Sequence, residues 1–173
     1  MPASDQGRLT GRYTLIPRTL TFLTSGDKIL LLKGSTEKPL WANLYNGIGG
    51  HLEKGEDALG GALRELKEEA GLVLPTLRLS GIIIIDIDQT IGVGLYVFTG
   101  ECNEQDAERI QNTPHTREGI LEWIDQKELD RLPLVEDLYK LLPRLLAMKP
   151  DEPPLSGRYW YDTSGKLEIV FSN

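Results

Sequence analysis

Three glutamates crowded onto one side of a single helix constrain this chain more than any other feature. The stretch from Gly50 to Leu72 opens on glycine, and a helix is predicted to start at Asp57, whose side chain can cap the first turn. Gly71 is placed to end that helix in the left-handed conformation. Leu59, Leu63, Leu66 and Ala70 recur at intervals of about one turn, so a single apolar stripe faces a core. Residues three and four apart are neighbours on a helix, which puts Glu65, Glu68 and Glu69 on one face. Like-charge pairs of this kind cost about 0.2–0.5 kcal/mol each. Arg64 can pair with Glu68, but nothing at the right spacing neutralises Glu65 against Glu69. Gly60 and Gly61 each cost roughly 0.5–1 kcal/mol relative to Ala inside a helix. Both costs make sense if a cation sits among the carboxylates and a backbone or ligand approaches closely. An all-oxygen donor set points to Mg²⁺, with Mn²⁺ as a substitute.

Charge and composition narrow the partners. With 26 acidic and 19 basic residues the formal charge is −7, which argues against backbone binding to a nucleic-acid polymer. A small anionic ligand escorted by a metal remains compatible. At 173 residues the chain suits one domain with a real core. The expected layout is a loose tail over 1–11 and a single domain over 12–173, as a monomer or homodimer. One cysteine, Cys102, precludes an intrachain disulfide and fits a reducing, cytoplasmic compartment. The N-terminus lacks the apolar core of a signal peptide. The longest aliphatic run, Ile82 to Ile85, is far too short to span a membrane.

Taken in order, Arg12 to Thr24 suits strands with Pro17 as a break, and Ser25-Gly26-Asp27 turns the chain into a buried strand over Lys28 to Lys33. Gly34 to Lys38 is a loop. Asn46-Gly47 is a strong turn dipeptide. An extended segment is expected over Leu77 to Asp88, a glycine-containing return over Gln89 to Gly94 and a strand over Leu95 to Thr99. The polar stretch Glu101 to Thr116 reads as a loop or short helix. A strand over Gly119 to Ile124 follows, and Asp125 can cap a helical turn through Leu129. Val135 to Met148 reads as a helix that Pro143 should kink or split. Lys149 to Pro154 is a linker, and a hairpin over about 157–171 closes the chain about Thr163-Ser164-Gly165. The mixture of strands and helices points to a sheet sandwiched by helices.

The acidic stretch can now be compared with a known pattern. Gly50, five residues, Glu56, seven residues, Arg64-Glu65-Leu66, one residue, Glu68-Glu69, one residue, Gly71-Leu72: this resembles the Nudix box at every defining position. The resemblance implies an α/β/α sandwich with a mixed β-sheet, and hydrolysis of a nucleoside diphosphate linked to a further group. It implies that Glu65, Glu68 and Glu69 ligate Mg²⁺ together with the Gly50 carbonyl. Glu65 would also act as general base, Arg64 would orient a carboxylate, and Glu56 would support the site from the helix start. A later acidic residue often joins such sites; Glu118, in Thr-Arg-Glu-Gly, is the candidate, and a plain surface-loop glutamate is the alternative.

The segment ahead of the box narrows the substrate. Tyr45-Asn46-Gly47-Ile48-Gly49-Gly50 is similar to the Trp-Asn-Gly-x-Gly-Gly stretch of the MutT-like branch, which hydrolyses oxidised purine nucleoside triphosphates such as 8-oxo-dGTP. The resemblance makes Asn46 a base-binding residue, with Gly49 beside it, and the turn alone is the other reading of Asn46. A later Trp-Pro-Asp-Asp stretch of that branch corresponds to Leu134-Val135-Glu136-Asp137. Glu136 and Asp137 keep the acidic pair, while Leu134 stands where the branch has tryptophan; acids in a first helical turn also suit the helix dipole. The implied reaction releases a nucleoside monophosphate and pyrophosphate. Other nucleoside diphosphate derivatives (ADP-ribose, a nucleotide sugar, a dinucleoside polyphosphate) are the alternative substrates, and a non-catalytic nucleotide sensor is a third reading.

Remaining conspicuous residues take plainer readings. Trp41, Trp123 and Trp160 are expected in the core or at its rim. His51 and His115 lack metal-spaced partners, Asp86-Ile87-Asp88 lacks the glycine of a calcium loop, and no Gly-Lys-Ser/Thr follows the glycines.

Overall fold

The structure, a computed structural model, describes residues 11–37, 41–112 and 114–172. The expected tail falls almost wholly on residues outside that range. The centre is a mixed sheet of eight strands: β1 (Thr14–Ser25), β2 (Lys28–Gly34), β3 (Tyr45–Asn46), β4 (Arg78–Asp86), β5 (Ile91–Glu101), β6 (Gly119–Asp125), β7 (Leu155–Tyr161) and β8 (Leu167–Ser172). Their order is β3-β2-β1-β5-β4-β7-β8, with β6 paired to β2. β1 runs parallel to β5, Thr14 opposite Ile91, and β4 runs parallel to β7; the remaining strand pairs are antiparallel.

Helices cover both faces. α1 (Ala58–Ala70) and α2 (Glu104–Asn112) pack on one side through Ala62, Leu66 and Ile110, with Leu30, Leu32 and Phe98 beneath them. α3 (Leu138–Ala147) packs on the other through Leu138, Leu141, Leu142 and Leu145, over Ile29, Leu31, Ile83 and Val97. The unbroken run Ile29 to Leu32 in β2 follows from this, because a strand buried on both faces needs apolar side chains in both directions. The expected α/β/α sandwich is the fold found. Among the described residues no helix is long and apolar enough to cross a membrane.

Several local expectations change. Pro17 does not break β1. Its carbonyl accepts from Leu52 N–H at 3.1 Å, so its nitrogen faces the irregular segment 47–52, where no donor is needed. β5 starts at Ile91, earlier than expected, and the return is a tight Asx turn. There the Asp88 carboxylate accepts from the N–H groups of Thr90 and Ile91 at 2.6 and 2.8 Å. α3 starts at Leu138 and continues through Pro143 as one element, so Glu136 and Asp137 precede the helix and do not occupy its first turn. The polar stretch after β5 does hold a helix, α2, and a 3-10 helix over Gln126–Arg131 follows the Asp125 cap.

Candidate active site

Strand β1 has two different partners along one edge, and this positions the site. Ser25, Thr24 and Leu23 pair with β2. Nearer its start, β1 exchanges hydrogen bonds with the segment leading into α1: Thr21 and Ile48 bond each other at 2.7 and 3.1 Å, and Thr19 N–H donates to the Gly50 carbonyl at 2.9 Å. Asn46-Gly47 is therefore not a hairpin turn. Neither residue has positive φ, and Asn46 pairs with Leu32 in the sheet. A side chain at Gly47 would press on Leu20 and Phe22, so this glycine permits close approach and does not reverse the chain. The reversal occurs earlier, at Trp41–Leu44, where Trp41 and Asn43 hold φ of 62° and 60°. Left-handed backbone costs about 1–2 kcal/mol for a residue other than glycine.

The helix ends are as the sequence predicts. Asp57 caps α1, accepting from Gly60 N–H at 2.7 Å, and Gly71 closes it with φ 64°. Gly61 has a plainer cause than a ligand, because it makes room for the Leu52 side chain and the Glu56 carboxylate.

Arg64 is the hub of the acidic face. Its Nε and Nη2 grip Glu56 at 2.7 and 3.1 Å, Nη1 reaches Glu65 at 2.9 Å and Glu68 at 3.2 Å, and Nη2 also donates to the His51 carbonyl at 3.0 Å. The guanidinium beside Glu56 holds that carboxyl below its usual range, helped by the Glu53 N–H. Three carboxylates around one guanidinium leave a surplus of negative charge, and Glu69 extends the same face. Glu65 is the most enclosed of the three Arg64-bound carboxylates, its side chain 13% exposed against 21% for Glu56 and 58% for Glu68. It lies against the bare Cα of Gly50, where an added Cβ would overlap the carboxylate, 2.7 Å from its Cδ. The Gly50 carbonyl uses one lone pair on Thr19 and keeps the other. All-oxygen donors, surplus negative charge and a carboxylate seated on glycine together fit a hard divalent cation. Among the described residues no three His, Cys, Asp or Glu side chains converge as a metal cluster, and Arg64 spans Glu65 and Glu68. Glu118 lies in the turn from Thr116 to Gly119 at the end of β2, with its N–H on Thr116 Oγ1 and its carbonyl accepting from Ser35, both at 3.0 Å.

Beside this face is a cavity of about 250 Å³. Asn46, Gly49, Glu136 and Asp137 all line it. Burial pushes the Asp137 carboxyl from its ordinary 3.8 up to about 6, and the neighbouring Glu136 charge adds to the rise. Burial raises the Tyr159 hydroxyl as well, with Asp137 adding to it. Sequence reasoning missed Arg18, Tyr159 and Tyr161 in this wall and placed Trp41 only in the core or at its rim. Arg18 comes from β1 and the tyrosines from the terminal hairpin, distant in sequence from the box. The one available signal was the aromatic spacing of Tyr159 and Tyr161. Trp123 and Trp160 are partly buried, Trp123 donating to the Ala107 carbonyl at 3.1 Å.

Known proteins with these features can now be placed beside this one. The family model for the NUDIX domain matches residues 14–145. An uncharacterized Nudix hydrolase of Bacillus subtilis, YvcI, is 30% identical over 115 residues, covering 65% of this chain and 67% of its own. An oxidized purine nucleoside triphosphate hydrolase of Mus musculus is 28% identical over 120 residues, covering 68% and 69%. The crystal structure of a mutator MutT protein from Bacillus halodurans shares the fold with a TM-score of 0.68 at 23% identity, over 91% of this chain and 97% of that one. The NUDIX domain of Shewanella oneidensis NrtR, solved with ADP ribose, does so at 0.60 and 14% identity, over 83% and 96%. With the box complete and the family model spanning well over half its length, the chain belongs to the Nudix hydrolases, pyrophosphohydrolases of nucleoside diphosphate derivatives.

Proposed function

We propose that this hydrolase is a Mg²⁺-dependent nucleoside triphosphate diphosphohydrolase of MutT type, favouring oxidised purine nucleotides such as 8-oxo-dGTP. The observation that carries the reading is the cavity next to the box, where Asn46 and the adjacent pair Glu136-Asp137 converge from two distant stretches of chain. An amide and two carboxyls, one raised to about 6, supply donors and acceptors for the edge of a purine. At about 250 Å³ the cavity is small for a ligand pocket. It takes a base, and the phosphates lie outside it toward Gly50 and the acidic face.

Family members use divalent cations. Here Glu65, Glu68, Glu69 and the Gly50 carbonyl would hold Mg²⁺, which when bound supplies charge neutralisation at the phosphate oxygens. Arg64 keeps its two-pronged grip on Glu56 and the His51 carbonyl, so the helix start stays fixed while its Nη1 contacts yield. Glu65 takes the proton of the attacking water. The water oxygen bonds to phosphorus, the bridging P–O bond breaks, and pyrophosphate leaves from a nucleoside monophosphate. Glu118 is a second acidic group that a substrate-bound state could recruit as ligand or base.

The test is a panel of 8-oxo-dGTP, dGTP, ADP-ribose and a dinucleoside polyphosphate, assayed for Mg²⁺-dependent release of pyrophosphate or phosphate. Faster turnover of 8-oxo-dGTP with pyrophosphate as product is expected. Preference for ADP-ribose or the dinucleotide overturns the triphosphate reading, and no turnover of any of them favours a nucleotide sensor.

A further inference from the structure

Leu134, the position where the MutT-like pattern carries its stacking tryptophan, is only 4% exposed and packs in the core beneath α3. Its neighbours Pro133 and Val135 are tied by backbone hydrogen bonds to Tyr45 at 2.9 and 3.0 Å. That position offers no ring to a base. Of the rings lining the cavity, Tyr159 is buried, whereas Trp41 and Tyr161 are 40% and 58% exposed.

Trp41 is held there by unusual means. Its backbone is left-handed, a conformation that a turn ordinarily gives to glycine or asparagine. Three backbone hydrogen bonds hold it so: Leu44 N–H to the Trp41 carbonyl, Asn43 N–H to the Gly34 carbonyl, and Gly34 N–H to the Leu44 carbonyl, at 3.1, 3.1 and 3.0 Å. The turn also needs a bare Cα at Gly34, since a side chain there would overlap the Trp41 carbonyl oxygen. The Arg18 guanidinium lies over the indole, 5.9 Å from its centroid, and lines the same cavity. A tryptophan kept in strained backbone while leaving two fifths of its surface in water is poorly explained by core packing. Strain of this type persists where the surroundings over-determine it, often at ligand sites.

We infer that Trp41 is the stacking platform for the nucleotide base, supplied by the turn before β3 in place of the position filled by Leu134. This rests on the purine nucleotide reading above, and it assigns base affinity to Trp41 and base identity to Asn46 and Asp137. Stacking tolerates any base, because every base presents a π face, whereas hydrogen bonds from the cavity lining discriminate. Gly34 acts as a positioning residue through the backbone of Trp41.

The experiment is equilibrium binding of 8-oxo-dGMP, dGMP, TMP and ADP-ribose without metal, followed by tryptophan emission and checked by calorimetry. Wild type is expected to bind 8-oxo-dGMP with quenching. Trp41→Phe should lose most of the quench and keep Kd within about fivefold, and Trp41→Ala should raise Kd about 10–100-fold. In turnover, Trp41→Ala should raise KM and leave kcat within about threefold, which a merely structural role would not do. Gly34→Ala should weaken binding with its tryptophans intact, and circular dichroism should show the fold retained. Unchanged Kd in Trp41→Ala, or full quenching in Trp41→Phe, overturns the assignment. If wild type binds TMP or ADP-ribose in preference and Trp41→Ala abolishes that binding, the oxidised-purine triphosphate reading fails and the platform stands. If wild type binds none of the four nucleotides, both fall.

Discussion

Asp137 is an acid whose burial works against stability at neutral pH, and this can be measured directly. Its carboxyl is raised from 3.8 to about 6, so the folded chain holds this proton more tightly than the unfolded chain does. Below about pH 4 both states carry the proton and Asp137 contributes no difference. As pH rises from about 4 to 6 the unfolded state releases the proton first, so unfolding becomes easier across that window, and above it the full destabilisation is present. The span from 3.8 to about 6 corresponds to about 3 kcal/mol at full burial. The side chain is half-buried at the cavity wall, and residual water contact reduces this to about 1–2 kcal/mol. Asp137 makes no side-chain cap bond to α3, so Asp137→Asn removes the titration and sacrifices no cap. The assay is urea unfolding of wild type and variant, each at pH 4, 5, 6, 7 and 8. Carboxyls held low by partners, such as Glu56 and Asp86, act in the opposite sense in both proteins and cancel in the difference. The variant should gain about 1–2 kcal/mol on wild type between pH 4 and pH 8, with most of the change below pH 7. A difference that is flat with pH, or one favouring wild type at pH 8, refutes the reasoning.

Three further predictions follow from the same geometry. Glu65→Gln should lower kcat for pyrophosphate release by about 10²–10⁴-fold while leaving the circular dichroism spectrum unchanged; a near-normal rate would remove Glu65 from its role. Gly50→Ala drives a methyl group into the Glu65 carboxylate and should cost about 1–3 kcal/mol of stability, read by urea melts, with kcat reduced at least tenfold; a silent substitution would mean Glu65 is not fixed by this contact. Asn46→Ala should compress the kcat/KM ratio between 8-oxo-dGTP and dGTP by roughly tenfold, and an unchanged ratio would exclude Asn46 from reading the base.

What the sequence made legible was the part whose causes are local. The caps at Asp57 and Gly71, the stripe through Leu66 and the hairpin turn at Gly26 depend on residues a few positions apart, and each is found where it was expected. The fold class followed from the alternation of strands and helices. Pro17 and Asn46-Gly47 were misread because their surroundings come from far along the chain. Pro17 is tolerated because of Leu52, and Gly47 is required by Leu20 and Phe22. The same holds for the cavity. Arg18, Trp41, Asp137 and Tyr159 share no spacing, and Arg18 on β1 meets Tyr159 on β7 only through the successive pairings of β1 with β5, β5 with β4 and β4 with β7.

The pairing of β4 with β7 also sets one wall of the cavity apart from the acidic face. The family match ends at residue 145, yet Tyr159, Tyr161 and Leu167 of the closing hairpin line the cavity. The acidic face on α1 draws on none of these residues. A change in the hairpin would therefore reshape the cavity and leave the acidic face of α1 as it was, so on the proposed function the base site and the phosphate site can be altered separately.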